Sequence, residues 1–540
     1  MKILIRLVTA VSLVCLFSFY ANADVVTFEN ELLALDGASY SEKAEIITRI
    51  GAMDDERVLP VMVALLNARL YLRTDLNKMI YTKDINGEFY AIDVMMDEKY
   101  GLLDDIPNRK IRINNRLRRV LKPLIAVLQL NSTDKAIRLS AAKDLLKTPN
   151  TELRSVIIDA ISKEKIKKIK TVLQQAIAMI DVNGDDEALR LTALGILGNS
   201  VEPEAVAVLR KLVMKDESGK YIETNIVMVE SAEKSLEMIE SRLNVFKFAE
   251  NLIFGVSLGS ILLLAAIGLA ITFGVMGVIN MAHGEMIMLG AYTTFAIQQL
   301  FPQMIDMSLF IAIPVAFLVS GCMGVLIERV VIRHLYGRPL DTLLATFGIS
   351  LILQQAVRMY SSNNVAVITP EWMSGFWAIN GAMSITYNRI YIMIFSIIVL
   401  VILTLLLKKT MMGLQMRAVT QNRAMANSMG IRSGWVDALT FGLGSGIAGI
   451  AGVALSQITN VGPNLGQGYI IDSFMVVVFG GVGNLLGTFV GAMSLGIANK
   501  LLEPYAGAVV GKIIVLIFII LFIQWRPRGI FALKGRFVED

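Results

Sequence analysis

The sequence predicts a polytopic α-helical membrane protein of about eight or nine membrane segments, one broken or re-entrant, behind an N-terminal all-α, HEAT-like soluble domain. Composition is one reason: of 540 residues, 55% are hydrophobic and 18% charged, with a mean hydropathy of +0.60, far from soluble averages. Distribution is another. Runs such as DVNGDDEALR and SKEKIKKIK fall in residues 24–248, whereas long apolar stretches fall in 252–525. Apolar segments able to cross about 30 Å of hydrocarbon recur near 252–273, 278–298, 307–327, 341–359, 389–407, 435–458 and 508–524. Net charge is only +5 and no basic patch is interleaved with aromatics, which gives nucleic-acid binding no support.

In chain order, residues 1–23, MKILIRLVTAVSLVCLFSFYANA, combine a basic start, an apolar core and an Ala-x-Ala ending. They predict a secretory signal peptide cleaved after Ala23. Cleavage removes Cys15 and leaves Cys322 without an intrachain partner. A mostly helical domain is expected over 24–248 and a transmembrane domain over 249–540. TDKAIRLSAAKDLLKT, GDDEALRLTALGILGN and, more faintly, EKAEIITRIGAMDD read as copies of one helical element, as in stacked helix pairs that offer a surface to a partner. One exception is KMIYTKDINGEFYAIDVM, where Asn86-Gly87 between alternating apolar residues predicts a β-hairpin. Residues 24–248 contain no His and no Cys, which removes the usual zinc sets and triads. DVNGDDE lacks the alternation and terminal Glu of a calcium loop and reads as a solvated turn before a helix cap. The first domain is therefore expected to make contacts rather than do chemistry.

The stretch 471–502 is too long for one helix and carries Gly480-Gly481 and Gly483-Asn484, which predicts a short half-helix, a break and a longer helix. Such breaks survive where protein or a water-filled cavity shelters the freed backbone groups. Arg and Lys concentrate in 328–338, 407–432 and 526–536. Counted from an outside start, all three basic stretches fall inside when 471–502 crosses twice or re-enters fully. On this count the first domain is expected on the outer side of the membrane.

Glycine is dense in GLGSGIAGIAG at 442–452, but no strand, βαβ unit or ribose-binding acid accompanies its G-x-G-x-x-G. Gly442 with Gly446, and Gly483 with Gly487 and Gly491, instead have the spacing that lets helix backbones approach in lipid. AGAVVGKI lacks the first Gly and the final Ser or Thr of a phosphate loop. No catalytic residue, cofactor or metal is expected, and any ATP hydrolysis belongs to another chain.

Polar groups in or beside apolar spans usually face a bundle interior or a pathway. Here they are Asn280, His283, Glu285, Thr346, Gln354, Gln355, Asn460, Asn464 and Asp472. GVMGVINMAHGEMIMLGAY is expected near the inner end of the turn between the first two spans. His283 has no second His or Cys at a ligand spacing, so a hydrogen-bond knot or a translocation gate is expected rather than a metal site. In 408–434, Arg417, Arg423 and Arg432 alternate with apolar residues and Gly430 can end a short helix. That helix would lie at the cytoplasmic face, with Leu414, Ala418, Met425 and Met429 filling a partner's groove.

GVINMAHGEMIMLGAY, RAVTQNRAMANSMGI and GIAGIAGVALSQITNVGPNLGQGYIIDSFMVVVFGGVGNLLGTFVGA, in this order, resemble the branched-chain amino-acid permease family of ABC importers over roughly 250–530. Within it, a signal peptide and a long helical extension ahead of the permease resemble the urea-transporter permease subunit. The resemblance implies a heteromeric importer. A periplasmic binding protein would deliver urea to two related permease chains in the lipid, and two cytoplasmic ATP-binding subunits would engage their coupling segments. That segment would correspond to 415–431, from Gln415 to just past Gly430. It lacks the Glu of the Glu-Ala-Ala start found in the more widespread importer motif. The alternatives are a permease for branched-chain amino acids or short amides, and a passive urea channel.

Overall fold

The computed structural model describes residues 28–531, apart from 86, 87, 362 and 381. The expected signal segment, the turn at Asn86-Gly87 and the basic tail past 531 lie outside the described residues. The chain divides into two compact units between Arg242 and Leu243.

The first unit is not all-α. Helices Tyr40–Gly51 and Val58–Leu66 lead into an antiparallel sheet of five strands in the order β4-β3-β2-β1-β5. The strands are β1 (Leu70–Arg73), β2 (Lys78–Ile85), β3 (Glu88–Asp93), β4 (Lys99–Leu102) and β5 (Asn108–Lys110). β2 and β3 are the two arms of the expected hairpin, paired from Ile80↔Asp93 to Ile85↔Glu88. The others have a physical reason for escaping a periodicity argument. LYLR, KYGL and NRK span three or four residues each, too short to display a period of two. β5 is an edge strand whose one ladder is to β1, Tyr71↔Lys110 to Arg73↔Asn108.

The three repeat-like segments do form helices, started by their own polar residues. Ser39 and Glu42 close a reciprocal capping box, and Asp134 and Asp186 accept the amides of Ala136 and Ala188 at 2.7 and 2.9 Å. They do not pack as equivalent repeats. Tyr40–Gly51 shares a core with strand residues Leu70, Leu72 and Met79, whereas Lys135–Lys147 packs on helix Lys167–Asp181.

The second unit is helical. Its elements are α1 (Ile226–Met276, which begins before the division), α2 (His283–Leu300), α3 (Ile305–Val330), α4 (Pro339–Tyr360), α5 (Tyr387–Lys409), the short α6 (Met411–Gln421) and α7 (Arg423–Ser428), α8 (Ser433–Ser456), α9 (Leu465–Gly480) and α10 (Leu485–Trp525). A two-stranded hairpin, Phe376–Asn380 with Met383–Thr386, precedes α5.

Six of these, α1, α3, α4, α5, α8 and α10, are long and apolar enough to cross a membrane, against the eight or nine segments expected. α2 carries His283, Glu285 and two glutamines in 18 residues, and α9 has only 16. α10 contains two of the expected segments. Extended straight, its 41 residues would measure about 60 Å. Yet Ile530 and Phe531, just beyond its end, donate backbone hydrogen bonds to Phe479 and Gly480, just before its start. The chain reverses at Pro504–Gly507, where Gly507 takes φ +77°, a conformation that suits glycine.

α8 is buried on nearly every side and packs against α2 and α3. Glycines stand at close approaches between helices of this unit. A Cβ on Gly442 or Gly446 would stand 2.7 Å from Val325 or 2.6 Å from the Phe317 ring, and one on Gly487 or Gly491 would press on Gly480 or Val476 backbone. Gly483 lies in the link before α10 rather than on its face, against Gly274.

Candidate functional site

The site grows from the break between α1 and α2. Residues 277–282 fold back along α1, so that His283 Nε2 lies 2.9 Å from the carbonyl oxygen of Ala265. Ala265 is three turns before the end of α1, about 16 Å along its axis. The His283 cluster therefore sits beside the middle of neighbouring helices, not at the inner end of the turn as expected. Side chains near and far satisfy amides of the folded-back link. Ala282 N–H donates to Asn280 Oδ1 at 3.0 Å and Met281 N–H to Thr346 Oγ1 at 3.1 Å.

α4 presents an unusual face to this break. Its buried residues are Thr342, Thr346, Ser350 and Gln354, one polar group per turn at a spacing of four. Ser350 Oγ and Gln354 Nε2 both donate to Glu285 Oε1, at 2.9 and 2.7 Å. Opposite them, the N-termini of α2 and α9 touch through backbone: a Cβ on Gly284 would stand 2.6 Å from the Gly466 carbonyl oxygen. Two broken helices thus start side by side in the interior of the bundle.

Three buried polar atoms at the break have no hydrogen-bond partner: Asn280 Nδ2, His283 Nδ1 and Glu285 Oε2. Since His283 Nε2–H faces a carbonyl, Nδ1 carries a lone pair. The set is one donor, one acceptor and a carboxyl oxygen. Asn280 and Met281 also line a cavity of about 100 Å³ with Leu269, Ile279, Ile470, Ile471 and Phe474.

Of the sequence-predicted pathway residues, Asn280, His283, Glu285, Thr346 and Gln354 come together. The others do not. Gln355, about 100° around α4 from Gln354, is exposed, and Asn460 is exposed in the link after α8. Asn464 precedes α9 and accepts from Arg358 at 2.6 Å. Asp472 faces α10, where Lys512 pairs with it at 3.1 Å. Ser350 was missed, although T-x3-T-x3-S-x3-Q at 342, 346, 350 and 354 was available as a signal. Two further buried acids, Glu328 and Asp437, were also missed. Each stands in or beside a basic stretch, where charge looks like a topology marker.

The 408–434 stretch forms two short helices. Asn422 caps the second through Met425 N–H at 2.9 Å, and Gly430, at φ +87°, follows its end. Gln415 and Ala418 are half-buried and Arg417 is exposed, its guanidinium donating to the Leu407 carbonyl. Met425 and Met429 are 62% and 77% exposed. Arg423 departs from expectation: it turns inward and ion-pairs with buried Asp437.

A family model described as "Branched-chain amino acid transport system / permease component" matches residues 251–523. BraD, a high-affinity branched-chain amino acid transport system permease protein of Pseudomonas aeruginosa, is 31% identical over 297 residues, 53% of this chain and 96% of that protein. LivH of Escherichia coli K12, of the same description, is 33% identical over 294 residues, 52% of this chain and 95% of its own. The ribose import permease protein RbsC of Haemophilus influenzae is 23% identical over 206 residues, 37% of this chain and 62% of its own. No solved structure matches.

Proposed function

This chain belongs to the branched-chain amino-acid permease family of ABC transporters, and from that premise we propose that it is the permease subunit of an ATP-driven importer whose solute is urea. The observation that carries the choice of solute is the trio of unbonded atoms at the α1–α2 break. Asn280 Nδ2 is a donor, His283 Nδ1 an acceptor, and Glu285 Oε2 a carboxyl oxygen that accepts when ionised and donates when protonated. Urea is their complement, since its carbonyl accepts, its N–H groups donate and it carries no charge. An amino-acid zwitterion brings a carboxylate that needs a cation, and no Lys or Arg is fully buried among the described residues of the membrane unit. An unpaired charge away from water costs on the order of several kcal/mol. Broken helices whose ends meet inside a bundle are a recurring way to build a solute site in transporters.

A second reading, a branched-chain amino acid, is favoured by the relatives' descriptions and by the aliphatic lining of the adjoining cavity. Uptake of labelled urea and labelled leucine by cells with and without the chain separates the two. Loss of urea uptake alone supports the first reading. Loss of leucine uptake with urea uptake intact overturns it in favour of the second.

The remaining subunits follow from the same reading. The exposed Met425 of α7 and Met429 just past its end face a cytoplasmic ATP-binding subunit, two of which serve this chain and a second, related permease. The apolar outer faces of α4 and α5 meet lipid or that permease. The first unit lies in the periplasm, where it helps receive the urea-binding protein.

A further inference from the structure

Arg423 opens α7 but is not presented to a partner. Its side chain is 30% exposed, and its guanidinium pairs with an Asp437 side chain only 3% exposed and lies 3.9 Å from the centroid of the Tyr336 ring. A second tether holds α7 in place: Asn427 Oδ1 accepts the Ser433 amide at 3.3 Å. Close by stands another buried acid, Glu328 near the end of α3. Its Oε2 has no hydrogen bond, nor does Arg329 Nη2. Arg329 Nε meets Glu328 Oε2 only loosely, at 3.7 Å, while Arg329 lies 4.4 Å from the centroid of the Trp435 ring. α3 and α8 pack antiparallel here: a Cβ on Gly324 would stand 3.1 Å from the Phe441 carbonyl oxygen, so Glu328, one turn further along α3, and Asp437, one turn back along α8, lie alongside each other.

A segment that relays motion into the membrane must move without stranding a buried charge, because removing one partner of a buried pair leaves the other uncompensated. Two acids and two guanidinium groups permit this. Resting on the reading of this stretch as the coupling segment, we propose that Arg423 is a latch with two seats. It sits on Asp437 in this conformation and passes to Glu328 when the segment is displaced, while Arg329 passes from Glu328 to Asp437. Charge stays balanced in both arrangements. Glu328 is then a positioning residue for coupling, and the docking contact falls to the exposed methionines.

The test is solute-stimulated ATP hydrolysis by the reconstituted complex of this chain, the related permease, the ATP-binding subunits and the urea-binding protein. Glu328→Gln leaves the Arg423–Asp437 pair intact. It is expected to keep the ATP-binding subunit bound and the KM for urea unchanged, while kcat falls about tenfold, equivalent to about 1.4 kcal/mol. Glu328→Asp, which keeps the charge, is expected to retain most of kcat and serves where the glutamine variant does not assemble. The double variant Arg423→Asp, Asp437→Arg restores the resting pair but puts an acid where Glu328 repels it, so assembly returns and turnover does not. Wild-type kcat in Glu328→Gln, or full turnover in the charge-reversed double variant, overturns the latch and leaves plain anchoring. If the unsubstituted complex shows no stimulation by urea, the reading of a urea importer fails first. If it does and Glu328→Gln matches it, only the latch fails.

Discussion

Gly466→Ala probes the meeting of the two broken helices. The added methyl would stand 2.1 Å from the carbonyl oxygen of Gly284, 2.3 Å from its carbonyl carbon and 3.0 Å from Glu285 N. All three are backbone atoms, so no side chain can rotate away. To regain contact at 3.4 Å, α9 must retreat from α2 by more than about 1 Å, and overpacking of this kind costs about 1–3 kcal/mol. The helix preference of alanine over glycine returns about 0.5–1 kcal/mol, leaving a net loss of up to about 2.5 kcal/mol. Gly468→Ala is the control, because it lies in the same helix and its added methyl meets nothing within 4 Å. Thermal unfolding of the purified chain in detergent should show a lower midpoint for Gly466→Ala and an equal or higher one for Gly468→Ala. Uptake should fall at least about tenfold in the first, since misplacement by about 1 Å can cost a hundredfold at a site, and should hold in the second. Equal midpoints and equal uptake in the two variants would refute the backbone contact and the site built on it.

Other consequences are separable. Gln354→Leu removes one of two donors to Glu285 and should reduce urea uptake while the chain still inserts, as checked by membrane fractionation. Arg423→Glu sets like charges at Asp437 and should destabilise the α6–α7 segment by about 3–5 kcal/mol, read as faster limited proteolysis within 410–432. Met425→Glu should instead leave proteolysis unchanged and reduce recovery of the ATP-binding subunit on the purified chain. In the first unit, the hydrogen bond from Arg138 holds the Glu164 carboxyl below its usual range against an opposing desolvation. A depressed carboxylate stabilises the fold above its unfolded pKa of about 4.3 and loses that contribution as pH falls through the lower folded value. The stability gap between wild type and Glu164→Gln should therefore be widest near neutrality and close in acid. For sidedness, single cysteines at Thr133 and at Thr420 in a Cys322→Ser background should react with an impermeant maleimide on spheroplasts at 133 and not at 420. The reverse pattern would put the first unit inside.

Much of the membrane unit was legible because lipid imposes long apolar runs and glycine marks close helix approach. The break at 481–484 follows from Gly481, Gly483 and Asn484 alone. Asn280, His283 and Glu285 were conspicuous because polar groups are costly between apolar runs. What local sequence could not supply was depth: that 277–282 folds back along α1 depends on contacts with Ala265 and Thr346, distant in the chain. The sign of Arg423 was legible and its partner was not, since a basic loop looks alike whether its arginines face a neighbouring subunit or a buried acid. In the first unit, capping residues announced the helices, but β1, β4 and β5 exist through their ladders and carry no pattern of their own.

Accumulation in proteoliposomes tests the central claim most directly. The complete complex, with ATP supplied on the side of the ATP-binding subunits, should raise labelled urea in the receiving compartment above its concentration outside, and should do nothing of the kind without ATP. Equilibration of urea to the outside concentration irrespective of ATP would make the chain a passive channel. ATP-driven accumulation of leucine with urea excluded would contradict the solute assigned from Asn280, His283 and Glu285.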